Sequence, residues 1–394
     1  MDRTLSETPK GTPVGAVHEL IERDFLYIGG EWVKPENGRT TDVIYPFTEE
    51  PIGRAALAGP SDVDRAVRAA RAAFDDGPWS RTTPAERAAI LRRAGEGIEA
   101  RMEELIRLTT LEVGSPIQSV RGQVGAAKIF LDWHADQAES YPWEEDRPGV
   151  FSSLLVRREP VGVVGAIVPW NFPLGLTMPK LCPALLTGCT VVLKPPEETP
   201  LYAFVLAEIF EEAGLPPGVL NVVPADRTVS EELVKHPLID KISFTGSTHV
   251  GSRIGSICGE QIKRFALELG GKSAAIIVED ADLETVIPKL APETMRNSGQ
   301  RCINQTRVLA PRGQYDAVVE ALAATIGAFP VGTRPNERRS SARSSAKRSA
   351  SASRATLHPA PNKGPGWSSE EAGRPTWNAA ISSSRRSSPT STTA

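Results

Sequence analysis

VGVVGAIVPWNF, residues 161–172, is an unbroken apolar run of strand length that stops abruptly at Pro-Trp-Asn-Phe. A run this short, without polar alternation and closed by a proline, reads as a strand buried on both faces. Working outward, CTVVLKP (189–195), LNVVP (220–224) and KISFTG (241–246) repeat the same texture. The stretches between them carry helical spacing, over residues 178–186 and 203–213. Strands alternating with helices of this length predict parallel βαβ units, hence an α/β fold with a doubly wound, Rossmann-like sheet. SAAIIVE (273–279) begins a second α/β unit near Gly271. Upstream, FLYIGGEWV (25–33) predicts two short strands about Gly29-Gly30, because aromatic and β-branched residues flank a pair suited to a tight turn. SDVDRAVRAARAAF (61–74) predicts a helix capped by Ser61. Thr83-Pro84 opens a further helical run through Ile90, Leu91, Ile98, Leu105 and Leu108.

The 394 residues are 40% hydrophobic and 24% charged, with net charge −3. No apolar run approaches the roughly 20 residues of a bilayer span, so no membrane partner is expected. Met1–Asp24 has no apolar core of a secretion signal. The four cysteines, Cys182, Cys189, Cys258 and Cys302, show no CxxC spacing, and the five histidines no HxxxH spacing. Those patterns predict neither disulfides nor a metal site, and a reducing, cytoplasmic setting.

Five short segments carry the chemistry: Pro169-Trp-Asn-Phe-Pro173, Lys194-Pro-Pro-Glu197, Phe244-Thr-Gly-Ser247, Glu268-Leu-Gly-Gly271 and Gly299-Gln-Arg-Cys302. In this order and spacing, from about Phe25 to Gly332, the chain resembles the aldehyde dehydrogenase superfamily of the hydrolytic, NAD(P)-dependent type. The resemblance implies oxidation of an aldehyde to a carboxylic acid through a thiohemiacetal and thioester on Cys302. A soft nucleophile suits that chemistry, whereas a cysteine without such context is more often a small buried hydrophobe. Arg301 beside it would favour the thiolate. Glu268 is implied as the base that activates water. Its neighbours Phe265, Ala266, Leu267 and Leu269 predict partial burial; the bland alternative is a solvated face. The Asn171 amide and the Cys302 backbone N–H are implied as oxyanion donors, although an asparagine between prolines also shapes a turn. Lys180 resembles a lysine near a proton-exit route and equally suits a surface.

For the cofactor, the resemblance implies NAD, with NADP possible. Lys194 and Glu197 follow a buried strand and match a pair that holds the adenosine ribose, where a carboxylate repels a 2′-phosphate. Val168, Pro169 and Trp170 at one strand end and Phe244, Gly246, Ser247 and Gly251 at another are assigned to cofactor binding, as are Leu269 and Gly270. A strand that opens into a helix there suits a pyrophosphate. Pro224-Ala-Asp-Arg-Thr-Val-Ser230 departs from the glycine-rich turn of many relatives, so adenine contacts are not carried over.

The resulting layout is a leader (1–24), an NAD-binding domain (25–140 and 159–270), an oligomerisation strand segment (141–158), an incomplete catalytic domain (271–332) and a tail (333–394). Relatives assemble as homo-dimers or tetramers through the strand near Ser152–Arg158. The tail holds one Leu, one Ile and no Val, Phe or Asp, with 11 Lys and Arg against 3 Asp and Glu. Such a composition predicts disorder. Its net +8 leaves the preceding residues at −11, yet no nucleic-acid recognition module accompanies that charge. The Arg/Ser/Ala/Pro vocabulary is that of GC-rich DNA read out of frame, and the family's Glu-x-Phe nicotinamide clamp is not recognisable after Gly332. A catalytically dead NAD-binding remnant is therefore the alternative expectation.

Overall fold

The structure, a computed structural model, describes residues 20–330. In chain order, strands β1 (Ile21–Arg23), β2 (Leu26–Ile28), β3 (Glu31–Val33), β4 (Thr40–Tyr45) and β5 (Glu50–Ala56) precede helices α1 (Pro60–Asp75), α2 (Pro84–Ala100), α3 (Met102–Val113) and α4 (Ile117–Ser140). A ribbon of β6 (Glu144–Pro148) and β7 (Ser153–Arg157) leads into β8 (Val163–Ile167), α5 (Pro173–Leu186), β9 (Thr190–Lys194), α6 (Leu201–Glu212), β10 (Leu220–Val222), α7 (Arg227–Lys235), β11 (Lys241–Gly246), α8 (Thr248–Glu260) and β12 (Arg264–Leu269). The last described elements are β13 (Ala274–Ile276), α9 (Leu283–Thr294), β14 (Arg307–Leu309) and α10 (Tyr315–Gly327).

The main sheet has seven strands in the order β12-β11-β8-β9-β10-β2-β3. Its first five are mutually parallel, and β2–β3 is an antiparallel hairpin added at the β10 edge. Chain order runs β8, β9, β10 in one direction and then returns to β11 and β12 on the other side of β8, so the sheet is doubly wound with its switch between β8 and β11. Every residue of β8 and β9 is buried. Alternate side chains serve opposite faces: Val164, Ala166, Val191 and Leu193 join the core under α2, α4, α5 and α6. Val163, Ile167 and Val192 join the core under α1, α7 and α8. Residues 271–330 enclose a much smaller apolar cluster, built on buried Ile277, Ile287 and Val318.

Several boundaries differ from the sequence reading. Helix α1 starts at Pro60 with Gly59 as its cap, and the Gly59 N–H donates to Asp62 Oδ2 at 3.0 Å. Ser61 therefore lies inside the helix, because a proline at the first helical position sets the turn. The same device starts α5 at Pro173, five residues before the expected 178. The run from Thr83 is two helices, since Arg101 leaves helical geometry at φ −105°, ψ 20° and pairs with Glu104 and Glu208. Thr83 itself caps α2 as expected, its hydroxyl accepting from Glu86 N–H at 3.2 Å. The Gly29-Gly30 turn holds, with φ of +68° and +86° that side chains rarely adopt. Residues 1–19, and the 333–394 tail with its expected disorder, lie outside the described residues. Among the described residues no helix is long and apolar enough to cross a membrane.

Candidate active site

At the carboxyl ends of β8, β9 and β11 the chain turns away from the sheet on either side of the switch. In open α/β sheets such a divergence opens a crevice where ligands bind. A cleft of about 690 Å³ occupies this place. The sequence-predicted Val168, Pro169, Trp170 and Asn171 line it after β8, Lys194 and Glu197 after β9, and Phe244, Gly246 and Ser247 after β11. Leu269 and Cys302 complete the predicted residues on its wall.

One end is electrostatic. Lys194 is 7% exposed, and its ammonium makes no hydrogen bond or ion pair among the described residues. Burial pushes its ammonium down to about 8, against the pull of Glu198, Glu197 and Asp226. Glu197 is held above the usual carboxylate range, first by burial and then by Glu198 and Asp226. A buried cation without a hydrogen-bond acceptor is costly unless a ligand supplies one. At the next strand end, Ser247 caps α8 by accepting from Val250 N–H at 3.3 Å, leaving a helix N-terminus on the cleft wall. Gly251 and Gly270 do not line the cleft. Gly251 is buried, and a Cβ there would sit 2.4 Å from Leu269 Cδ2, so its glycine serves close packing of helix on strand. The Gly270 N–H is taken by Gly246 O at 3.1 Å, which ties β12 to β11.

Cys302 stands at the other end, half-buried, whereas Cys182, Cys189 and Cys258 are buried. Its loop is tied to the sheet by Asn171. The Asn171 amide donates to Gln300 O at 2.5 Å, and Asn297 donates back to Asn171 O at 2.9 Å. Asn304 Nδ2 donates to Arg296 O at 3.1 Å, closing the loop on itself. Asn297 and Ser298 lie in the left-handed region with φ +54° and +56°, and Gly299 follows at +77°. Non-glycine residues there cost about 1–3 kcal/mol each, and persist where surrounding contacts hold them. Here those contacts are the Asn171 bonds and Ser119 Oγ to Asn297 Oδ1 at 3.4 Å. Arg301 stacks its guanidinium over the Phe172 ring at 5.6 Å and interacts electrostatically with Cys302.

Two expectations change. Glu268 is exposed rather than partly buried and is not among the cleft-lining residues. The apolar neighbours that suggested burial sit on β12, the edge strand of the sheet; Phe265, Leu267 and Leu269 point to the face covered by α8, whereas Glu268 points to the opposite face and stays exposed. Lys180 is not a surface lysine: it is buried under the sheet and donates to Ser243 Oγ at 3.3 Å. Burial pushes it down to about 8, opposed by Glu268.

Sequence reasoning missed Asp226. It caps α7, accepting from Val229 N–H at 2.9 Å, lines the cleft beside Glu197, and pairs with Arg39 Nη2 at 2.6 Å. An Asp just ahead of a helical stretch was a readable cap signal; the partner, 187 residues away, was not.

A doubly wound sheet with a ligand-sized cleft at its switch, and a half-buried thiol on the cleft's wall, defines an α/β protein with a cysteine at a candidate ligand site. Comparison narrows this class. The aldehyde dehydrogenase family model matches residues 32–354, past Gly332 where the composition changes, and the chain belongs to that family. It is 45% identical to the geranial dehydrogenase of Castellaniella defragrans over 79% of this chain and 66% of that one. It is 42% identical to the 3-succinoylsemialdehyde-pyridine dehydrogenase of a Pseudomonas species, over 75% of this chain and 62% of that one. The Mycobacterium tuberculosis aldehyde dehydrogenase solved with NAD+ superimposes with a TM-score of 0.82 at 44% identity, covering 84% of this chain and 69% of that one. The chain thus spans about two thirds or less of the length of the curated relatives it matches.

Proposed function

We propose that this chain oxidises an aldehyde to a carboxylic acid using NAD, with Cys302 as nucleophile. The observation that carries the reading is the single cleft that runs from Lys194 and Glu197 to Cys302. The residues present fit a dinucleotide. The buried, acceptor-less Lys194 ammonium and the neighbouring Glu197 suit ribose hydroxyls, and the α8 N-terminus suits a pyrophosphate. The cofactor, when bound, supplies hydride acceptance. The protein's part begins with the Cys302 thiolate adding to the aldehyde carbon, aided by the neighbouring Arg301 charge. The oxyanion so formed needs donors. Cys302 N–H and the Asn171 amide supply them, the latter with the N–H not given to Gln300 or after release from it. Once the carbon is oxidised, the thioester is hydrolysed by water, and Glu268 takes the water's proton. The exposure of Glu268 supports a route through solvent for that proton.

The test is aldehyde-dependent NADH formation by the purified full chain across short-chain, terpenoid and semialdehyde substrates, with Cys302→Ala and Glu268→Gln as controls. Multiple turnover that vanishes in Cys302→Ala is the expected result. Turnover unchanged in Cys302→Ala removes the assigned nucleophile. NAD binding without turnover favours a cofactor-binding remnant, a reading that the small core of residues 271–330 supports.

A further inference from the structure

The end of the cleft that carries Lys194 and Glu197 is bounded by a charge pair unrelated to the motifs that identify the family. Arg39, on the connection between β3 and β4, reaches Asp226 with Nη2 2.6 Å from Oδ2. The N-terminal strands are brought there by backbone pairing, with Ala58 N–H donating to Pro224 O at 2.8 Å and Leu57 N–H to Arg39 O at 2.9 Å. Asp226 cannot swing aside, because its other carboxylate oxygen caps α7 through Val229 N–H. Its carboxylate is thereby fixed on the cleft wall beside Glu197 and Glu198, and both Lys194 and Glu197 feel its charge.

We propose that Asp226, held in place by Arg39, is a specificity-determining residue that excludes a 2′-phosphorylated dinucleotide from this cleft and so selects NAD over NADP. The inference rests on the dinucleotide reading of the cleft given above. A ribose with free hydroxyls meets a donor in Lys194 and acceptors in the carboxylates. A ribose 2′-phosphate brings two negative charges to a wall that carries Glu197, Glu198 and Asp226, of which Glu197 and Glu198 make no ion pair among the described residues. The Arg39 guanidinium behind that wall, a group whose planar shape suits phosphate, is already committed to Asp226. Asp226 therefore acts chiefly by withholding the arginine, and to a smaller extent by its own repulsion of the phosphate.

The test is equilibrium binding of NAD and of NADP to the full chain, read as the ratio of the two dissociation constants. Asp226→Asn removes the charge, keeps an acceptor for the helix cap and frees Arg39; Asp226→Ser repeats this with a different capping group. Both variants should shift the ratio toward NADP by about tenfold to a hundredfold, the worth of one charge-assisted hydrogen bond. Adding Arg39→Met to Asp226→Asn should abolish most of that shift. An unchanged ratio in both single variants overturns the proposal. So does a shift that survives Arg39→Met, which would give the phosphate to Arg227 on the same wall. Failure of the unaltered chain to bind either dinucleotide is a different result: it removes the functional reading itself, and this inference with it.

Discussion

Residues 20–270 and residues 271–330 contribute to one cleft but are built differently. The first region buries two large clusters on opposite faces of a seven-stranded sheet. The second has an apolar cluster of three buried residues, Ile277, Ile287 and Val318, beside a two-stranded sheet. The half that suits a nucleotide is thus self-supporting, while the half that carries the thiol leans on a few polar ties to Asn171. The proposed binding and chemistry can therefore fail separately, since local stability follows local burial.

The sharpest way to break this comparison is Cys302→Ala, which should bring aldehyde-dependent NADH formation to background while leaving NAD affinity within about twofold, a separation measured by pairing a turnover assay with calorimetry. A large loss of NAD binding would show that the two regions are not separable. Next in size, Leu193→Ala in β9 should cost about 2–5 kcal/mol of unfolding free energy, as for a fully buried leucine, against less than half of that for Val318→Ala in the small cluster. Urea denaturation of both variants checks it, and equal losses would mean that residues 271–330 share the main cooperative unit.

A pH effect should map to the first region alone. Glu112 is buried against the N-terminus of α6, where Leu201 N–H donates to Oε1 at 2.5 Å, and burial pushes its carboxyl from 4.5 up to about 8. The folded state holds a proton that the unfolded state releases, so this contribution is complete below pH 4.5 and is lost as pH rises through about 8. Glu112→Gln should flatten the fall in melting temperature between those values; a variant that follows the unaltered chain's pH profile would show that Glu112 does not hold that proton. The smallest expected effect is Thr83→Ala at the exposed start of α2. Loss of its cap should cost about 1 kcal/mol and speed amide exchange in the first turn of α2 only. Protection lost from β13 or β14 in the same experiment would reveal coupling between the regions.

Much of this was legible in the chain itself. The buried texture of residues 163–167 and 190–194 announced parallel strands, because a strand covered on both faces has no polar period to hide. Thr83-Pro-Ala-Glu86 spelled out a capping box. The starts of α1 and α5 were misread because a proline at the first helical position, Pro60 and Pro173, sets the turn ahead of the residues that carry the helical spacing. Glu268 was misread because local apolar neighbours predict burial only if something packs on that face, and β12 is an edge.

The order of strands and helices, the motif residues and the family were determined by the sequence alone, since each depends on residues within a short stretch of chain. Tertiary structure decided the rest. It set β11 beside β8, so that the ends of β8, β9 and β11 open one cleft, and it turned the Asn171 amide onto Gln300. It buried Lys180 against Ser243 and brought Arg39 to Asp226. These contacts join positions 63 to 187 residues apart. No local periodicity encodes such pairings, because they form only when the helices and strands pack and the cost of closing those loops has been met by the burial of the cores.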